Sequence, residues 1–126
     1  MSATPVKPNF SFPKSARLLK RGEFRRVYDQ GSRVTSPSFA MFFARRDGEP
    51  ATGARIGFTT PRAVGNSVLR NCLKRRMREA LRLTLPAFHQ PVDYVFHPRR
   101  PVADLAFPQL CAEVARVLRR AEAAAR

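Results

Sequence analysis

The segment that most constrains the fold is residues 67–84, a long stretch that contains neither proline nor glycine. Apolar residues recur along it at helical spacing, at Leu69, Leu73, Met77 and Ala80. Asn66 or Ser67 is placed to cap the first turn, and Pro86 follows the last one. The segment therefore predicts an amphipathic α-helix with one apolar side.

The other side of this helix is basic. On a wheel of about 100° per residue, its polar residues fall within an arc of roughly 100°. They are Asn71, Lys74, Arg75, Arg78 and Arg82, with Arg70 at the edge. Like charges four residues apart repel by a few tenths of a kcal/mol, so a helix that needs only solubility usually mixes signs. A face that carries only positive charges predicts a surface that binds phosphates. The alternative is a basic face that contacts only solvent.

The charge of the whole chain supports a polyanionic partner. Lys and Arg number 24 against 9 Asp and Glu, which gives a net charge of +15 over 126 residues. Nucleic acid and an anionic membrane surface are the two candidates. Hydrophobic residues make up 44% of the chain, which excludes a purely disordered basic tail. A membrane-surface protein needs exposed apolar bulk, whereas these apolar faces are needed for a core.

Several other classes are not expected. No apolar run approaches the roughly 18 residues of a membrane span, and residues 1–17 do not resemble a secretory signal, so we expect a cytoplasmic protein. Cys72 and Cys111 are interpreted as small buried hydrophobes, with a disulfide as the lesser alternative. His89 and His97 lack partners at metal-ligand spacing, so we expect no metal bound by the protein alone.

The remaining chain divides into short elements. Residues 1–14 are expected to form a flexible lead-in, residues 15–120 a single RNA-binding domain, and residues 121–126 a frayed tail. Helices are predicted at 21–30 and 107–123, and strands at 32–36, 39–44, 55–60 and 92–97, with a basic loop at 99–101. A hairpin is expected to join the second and third strands. The order αβββαβα predicts an α+β fold with a four-stranded sheet packed against helices in two layers.

Residues 64–79 carry a resemblance to a known family. They read Val64-Gly65-Asn66-Ser67-Val68, then Arg70-Asn71, Lys74-Arg75 and Arg78-Glu79. This stretch resembles the signature helix of the protein subunit of bacterial ribonuclease P. Residues 17–31 and 55–59 resemble the first helix and third strand of the same family, so the likeness covers about residues 15–120. The chain departs from the family pattern at Pro61, Ala63 and Cys72.

The resemblance implies both a fold and a function. The fold would be similar to the second domain of ribosomal protein S5, with a left-handed βαβ crossover. The complex would remove the 5′ leader from precursor tRNA, with ribonuclease P RNA as the catalyst and this chain as a subunit without catalytic residues. The protein would broaden substrate affinity and lower the magnesium requirement, with Mg²⁺ bound mainly by the RNA and substrate. The partners would be that RNA and the leader, with no membrane and no obligate protein partner.

Two sets of site residues follow from the resemblance and the basic helix. The RNA-binding set is Arg62, Asn66, Arg70, Asn71, Lys74, Arg75 and Arg78. The set in a cleft for the leader, between the first helix and the sheet, is Phe24, Tyr28 and Phe43. Phe24 can equally be a core anchor of its helix. By period 2, Phe39 and Phe43 share one face of their strand and Phe42 takes the other, and the sequence leaves open which face is core.

The scattered acids agree with a chain that carries no nuclease site, because a two-metal nuclease needs clustered carboxylates. A general basic RNA-binding or ribosome-associated protein of the same fold is the alternative function.

Overall fold

The computed structural model describes residues 21–46, 54–84 and 92–125. The predicted lead-in at 1–14 lies outside these ranges. The helices are α1 (Arg21–Gln30), α2 (Ser67–Thr84), the short α3 (Pro101–Asp104) and α4 (Phe107–Ala125). The strands are β1 (Ser32–Thr35), β2 (Phe39–Arg45), β3 (Arg55–Phe58) and β4 (Val92–Pro98), and a 3₁₀ turn covers Arg62–Val64. The α+β class and the αβββαβα order are confirmed, with the short α3 added at the end of the predicted basic loop.

The four strands form one mixed sheet in the order β1-β2-β4-β3. β2 pairs antiparallel with β4, and β3 pairs parallel with β4. The predicted hairpin between β2 and β3 is therefore wrong, because β4 lies between them. The burial pattern explains this placement: β4 is buried from Val92 to Phe96, and a strand buried on both faces belongs in the centre of a sheet. β3 reaches it through α2, as parallel pairing requires a crossover.

The main core lies between one face of the sheet and the helices α2 and α4. Apolar side chains of β2, β4, α2 and α4 meet there, among them Met41, Phe43, Leu73, Tyr94 and Leu118. The apolar stripe predicted for α2 is confirmed in part: Leu73, Met77 and Ala80 are fully buried, whereas Leu69 is only half-buried. Cys72 and Cys111 are free thiols and half-buried, so they are less enclosed than the sequence predicted.

The opposite face of the sheet carries α1. Val27 of α1 is fully buried against Ala44 of β2 and Val95 of β4, with Phe24 and Phe42 packed at the edges. The sheet thus has helices on both faces, and the predicted two layers describe only the main core.

An ion network holds α1 in place. The fully buried Asp93 of β4 accepts hydrogen bonds from Arg26 of α1 at 2.8 Å, Arg46 at 2.6 Å, and Arg55 of β3 at 2.8 Å to each carboxylate oxygen. Arg55 also pairs with Glu23 of α1 at 3.0 Å. Burial alone would raise the pKa of Asp93, but hydrogen bonds from Arg55, Arg26 and Arg46 outweigh it and hold that pKa below its ordinary value.

The end of the domain differs from the prediction. α4 continues to Ala125, and Ala121 is fully buried in the main core. A boundary at residue 120 is therefore too early, because the helix still packs against the core beyond it. Among the described residues, no helix is long and apolar enough to cross a membrane.

Candidate RNA interface

The first element of the interface is the N-terminus of α2. The backbone N–H of Leu69 donates to Asn66 Oδ1 at 2.9 Å, so Asn66 is the cap, one of the two residues predicted for that role. Gly65 precedes it, and a Cβ there would lie 2.6 Å from the Leu69 side chain. The Val-Gly-Asn sequence therefore makes a tight entry into α2. Asn66, predicted to bind RNA, uses its side-chain oxygen in this cap.

α2 brings the predicted basic residues together on the side away from its buried stripe. We call this set the basic face: Arg70, Asn71, Lys74, Arg75 and Arg78. Asn71 and Arg75 are exposed and the other three are half-buried. Within residues 21–46, 54–84 and 92–125, none of its four cations pairs with a carboxylate. Arg78 also lies over the Phe58 ring, with its guanidinium carbon 5.8 Å from the ring centroid. Because no carboxylate of the described residues neutralises these cations, the face suits a surface that meets phosphates.

Two neighbouring arginines of α2 have other contacts. Arg76 donates from Nε to the Val102 carbonyl at 2.8 Å and from Nη2 to the Leu105 carbonyl. These bonds tie α2 to α3 and to Leu105, the residue that follows α3. Arg76 lies outside the basic face, as the helical wheel predicts. Arg82 pairs with Glu79 at 3.0 Å. The basic face thus ends before the last turn of α2.

The second element is a group of three rings on the α1 side of the sheet, which we call the aromatic triad: Tyr28, Phe42 and His97. The Tyr28 ring centroid lies 5.1 Å from that of Phe42 and 5.6 Å from that of His97, nearly perpendicular to both. The Phe42 and His97 rings are 5.1 Å apart. Tyr28 is 38% exposed, and the other two rings are half-buried. An edge of the triad is therefore open to a ligand.

Hydrogen bonds fix the orientation of Tyr28. Its hydroxyl lies 2.8 Å from His97 Nε2 and 3.1 Å from Thr59 Oγ1. Thr59 is held in turn, because its backbone N–H donates to the Phe96 carbonyl at 3.0 Å. These hydrogen bonds hold the Tyr28 side chain against the ends of β3 and β4 and restrict its rotation.

Cationic side chains border the triad. The guanidinium carbon of Arg33 lies 5.7 Å from the Phe42 ring centroid. Burial first, and then the charges of Arg33 and Arg99, lower the pKa of His97. The imidazole is therefore uncharged at neutral pH. Rings beside guanidinium groups are the combination that single-stranded nucleic acid binds.

The structure corrects one residue of the predicted cleft. Phe43 is 5% exposed and belongs to the main core, on the face opposite α1. Its neighbour Phe42 occupies the predicted position beside Tyr28, because side chains of a strand alternate between faces. Phe24 is half-buried against the small cluster below α1, so the core-anchor alternative describes it best.

His97 belongs to the triad but was not predicted from the sequence as a site residue. A signal for it exists in β4, where Asp93, Val95 and His97 share one face by period 2. Polar residues at both ends of an otherwise apolar strand mark that face as the one that meets α1 and solvent.

The exposed Arg62 lies between the two elements. It sits in the 3₁₀ turn that follows Thr59 and precedes Asn66. A short segment therefore connects the triad to the N-terminus of α2. Among the described residues, no group of His, Cys, Asp and Glu side chains is arranged to hold a metal ion.

Comparison with known proteins identifies the family. The family model for ribonuclease P matches residues 12–122. This chain belongs to the ribonuclease P protein family. A ribonuclease P protein component of Chloroflexus aggregans is 40% identical over 111 residues, which cover 86% of this chain and 78% of that protein. One from Symbiobacterium thermophilum is 35% identical over 108 residues, covering 86% and 92%.

Solved structures of ribonuclease P proteins share the fold. The Staphylococcus aureus ribonuclease P protein matches with a TM-score of 0.71 and 28% identity, over 86% of this chain and 96% of that one. The ribonuclease P protein of Thermotoga maritima matches with a TM-score of 0.71 at 24% identity, over 82% and 96%, which supports the fold alone. The family expected from residues 64–79 is thus confirmed.

Proposed function

We propose that this chain is the protein subunit of a ribonucleoprotein that removes the 5′ leader from precursor tRNA. The observation that carries the proposal is the pairing of the basic face of α2 with the aromatic triad under α1, in a chain of the ribonuclease P protein family. One surface suits structured RNA and the other suits a single strand. An enzyme that cuts between a leader and a folded tRNA needs both.

The basic face binds phosphates of ribonuclease P RNA. Its four cations lie along about two and a half turns of α2, and each phosphate that they neutralise releases counterions. Phosphates of the RNA that are neutralised in this way repel the phosphates of the substrate less. Fewer Mg²⁺ ions are then needed to screen that repulsion, so cleavage needs less magnesium. We expect the RNA and the substrate to hold most of the Mg²⁺.

The aromatic triad holds the leader. Bases of a flexible strand stack on exposed rings whatever their identity, and Tyr28 presents the most exposed ring. Arg33 and Arg99 border the triad and meet the strand's phosphates. Recognition by stacking and charge fits a leader whose sequence varies from one tRNA to another.

The protein itself takes no part in the chemistry. Its enclosed carboxylates already serve the fold: Asp93 binds three arginines, and Glu113 accepts hydrogen bonds from Ser36 and Ser38. This use of the carboxylates supports a division of labour in which the RNA is the catalyst and the protein contributes affinity.

Binding of precursor and mature tRNA by the reconstituted complex tests this function. The complex should bind precursor tRNA more tightly than mature tRNA, and the RNA alone should show a smaller difference. Equal affinities in the presence of the protein would exclude a leader site. If the purified chain instead selects ribosomal RNA over ribonuclease P RNA, the general RNA-binding alternative holds.

A further inference from the structure

His97 lies where three elements meet on the α1 side of the sheet. Its Nε2 is 2.8 Å from the Tyr28 hydroxyl, and its ring contacts both Tyr28 and Phe42. His97 is half-buried and is not part of the basic face of α2. An apolar residue at this position could fill the space but could not bond the Tyr28 hydroxyl.

We propose that His97 is a positioning residue for leader binding, which holds the Tyr28 ring in place and takes up a proton when a leader phosphate binds beside it. The proposal rests on the proposed leader site at the aromatic triad. It adds a residue and a proton to that site.

The positioning role follows from the hydrogen bonds. Tyr28 lies at the exposed edge of the contact between α1 and the sheet, and its hydroxyl is held only by His97 and Thr59 among the contacts of the described chain. A ring fixed before binding loses less conformational freedom when a base stacks on it. Loss of the imidazole nitrogen should therefore weaken leader binding even though the Tyr28 ring is still present.

The charges around His97 are the reason to expect that it takes up a proton when the leader binds. The groups that face His97 are Tyr28 from α1, Phe42 from β2, Thr59 after β3, and the cations Arg33 of β1 and Arg99 after β4. No group of this set carries a negative charge at neutral pH. A phosphodiester placed among the two guanidinium groups supplies that charge, so the bound leader stabilises the imidazolium.

The hydrogen bond between His97 and Tyr28 is kept when the imidazole is protonated. With the ring neutral and its proton on Nδ1, the Tyr28 hydroxyl donates to Nε2. With the ring protonated, Nε2–H donates to the Tyr28 oxygen, whose hydroxyl hydrogen turns to Thr59 Oγ1, 3.1 Å away. The site can therefore gain a charge without releasing the ring.

The test measures the affinity ratio of precursor to mature tRNA for the reconstituted holoenzyme between pH 5.5 and pH 8. We expect the preference for precursor to grow as the pH falls, by at most about tenfold per pH unit because one proton is involved. His97→Gln keeps a hydrogen bond to Tyr28 but does not titrate, so its preference should not change with pH. His97→Leu should lower the preference at every pH.

A second readout follows the proton in the protein alone. The chain has two histidines, so His89→Gln leaves His97 as the single imidazole signal in NMR spectra. Addition of a single-stranded oligonucleotide should raise its titration midpoint. If the wild-type preference is real but independent of pH and unchanged in His97→Gln and His97→Leu, this proposal is overturned while the leader site stands. If wild-type enzyme shows no preference at all, the leader site fails and the role of His97 with it.

Discussion

Phe42 and Phe43 are consecutive residues of β2 whose side chains serve opposite faces of the sheet. The Phe42 ring lies 5.1 Å from the rings of Tyr28 and His97, on the side of α1. Phe43 is buried in the main core with α2 and α4. Two adjacent aromatic residues thus separate binding from stability, and a substitution at each distinguishes the two roles.

Phe43→Ala should destabilise the fold by about 3–5 kcal/mol, because it leaves a cavity in the core. Phe42→Ala should have a smaller effect on stability and should cost roughly 1–3 kcal/mol in precursor binding, the value of one stacking ring. Urea denaturation and tRNA binding measure the two effects. The reverse pattern would contradict the assignment of the faces.

Tyr28→Ala should weaken binding of precursor tRNA by roughly 1–3 kcal/mol and leave binding of mature tRNA nearly unchanged. Mature tRNA has no leader that could stack on this ring. Tyr28→Phe keeps the ring but loses the hydroxyl that His97 and Thr59 hold, so it should lose less precursor affinity than Tyr28→Ala and about as much as His97→Leu. Equal reductions for both tRNA forms, with an intact circular dichroism spectrum, would place Tyr28 outside the leader path.

Replacement of Arg70, Lys74 or Arg78 by Ala should weaken binding to ribonuclease P RNA and lower the salt slope by about 1 for each phosphate that is no longer neutralised. Arg116 of α4 is exposed and outside the basic face, so Arg116→Ala is a control of equal charge. The fold should survive in every case. An unfolded spectrum would make the basic face structural, and equal slopes for all variants would make its charge diffuse.

Asp93→Asn should destabilise the protein by about 3–5 kcal/mol, because it removes the charge that three arginines share. The lowered pKa of Asp93 gives stability that is complete above its ordinary value near 3.8 and is lost as the pH falls through the folded value. Thermal unfolding between pH 2 and pH 7 checks both statements. Asp29→Asn, at an exposed position of α1, is the control. An acid transition that survives in Asp93→Asn would place its cause elsewhere.

Helical periodicity is enough to predict α2 with its bounds, and its one-signed face is visible in the sequence. The local sequence pattern does not predict the order of the strands, because that order depends on contacts between segments far apart in the sequence. The turn-forming residues after β2 favour a hairpin, but the burial of β4 on both faces places that strand between β2 and β3. The choice between Phe42 and Phe43 also depends on where α1 docks. The ion network explains this docking, and Asp93 lies far from its partners Arg26 and Arg46 in the sequence.

The most direct test of the whole account is cleavage of precursor tRNA at low magnesium by ribonuclease P RNA with and without this chain. We predict that RNA and protein together cleave at a magnesium concentration where the RNA alone is nearly inactive, and that the RNA-free protein does not cleave at any magnesium concentration. Cleavage by the protein alone, or an RNA whose magnesium requirement is unchanged by the protein, would contradict the account.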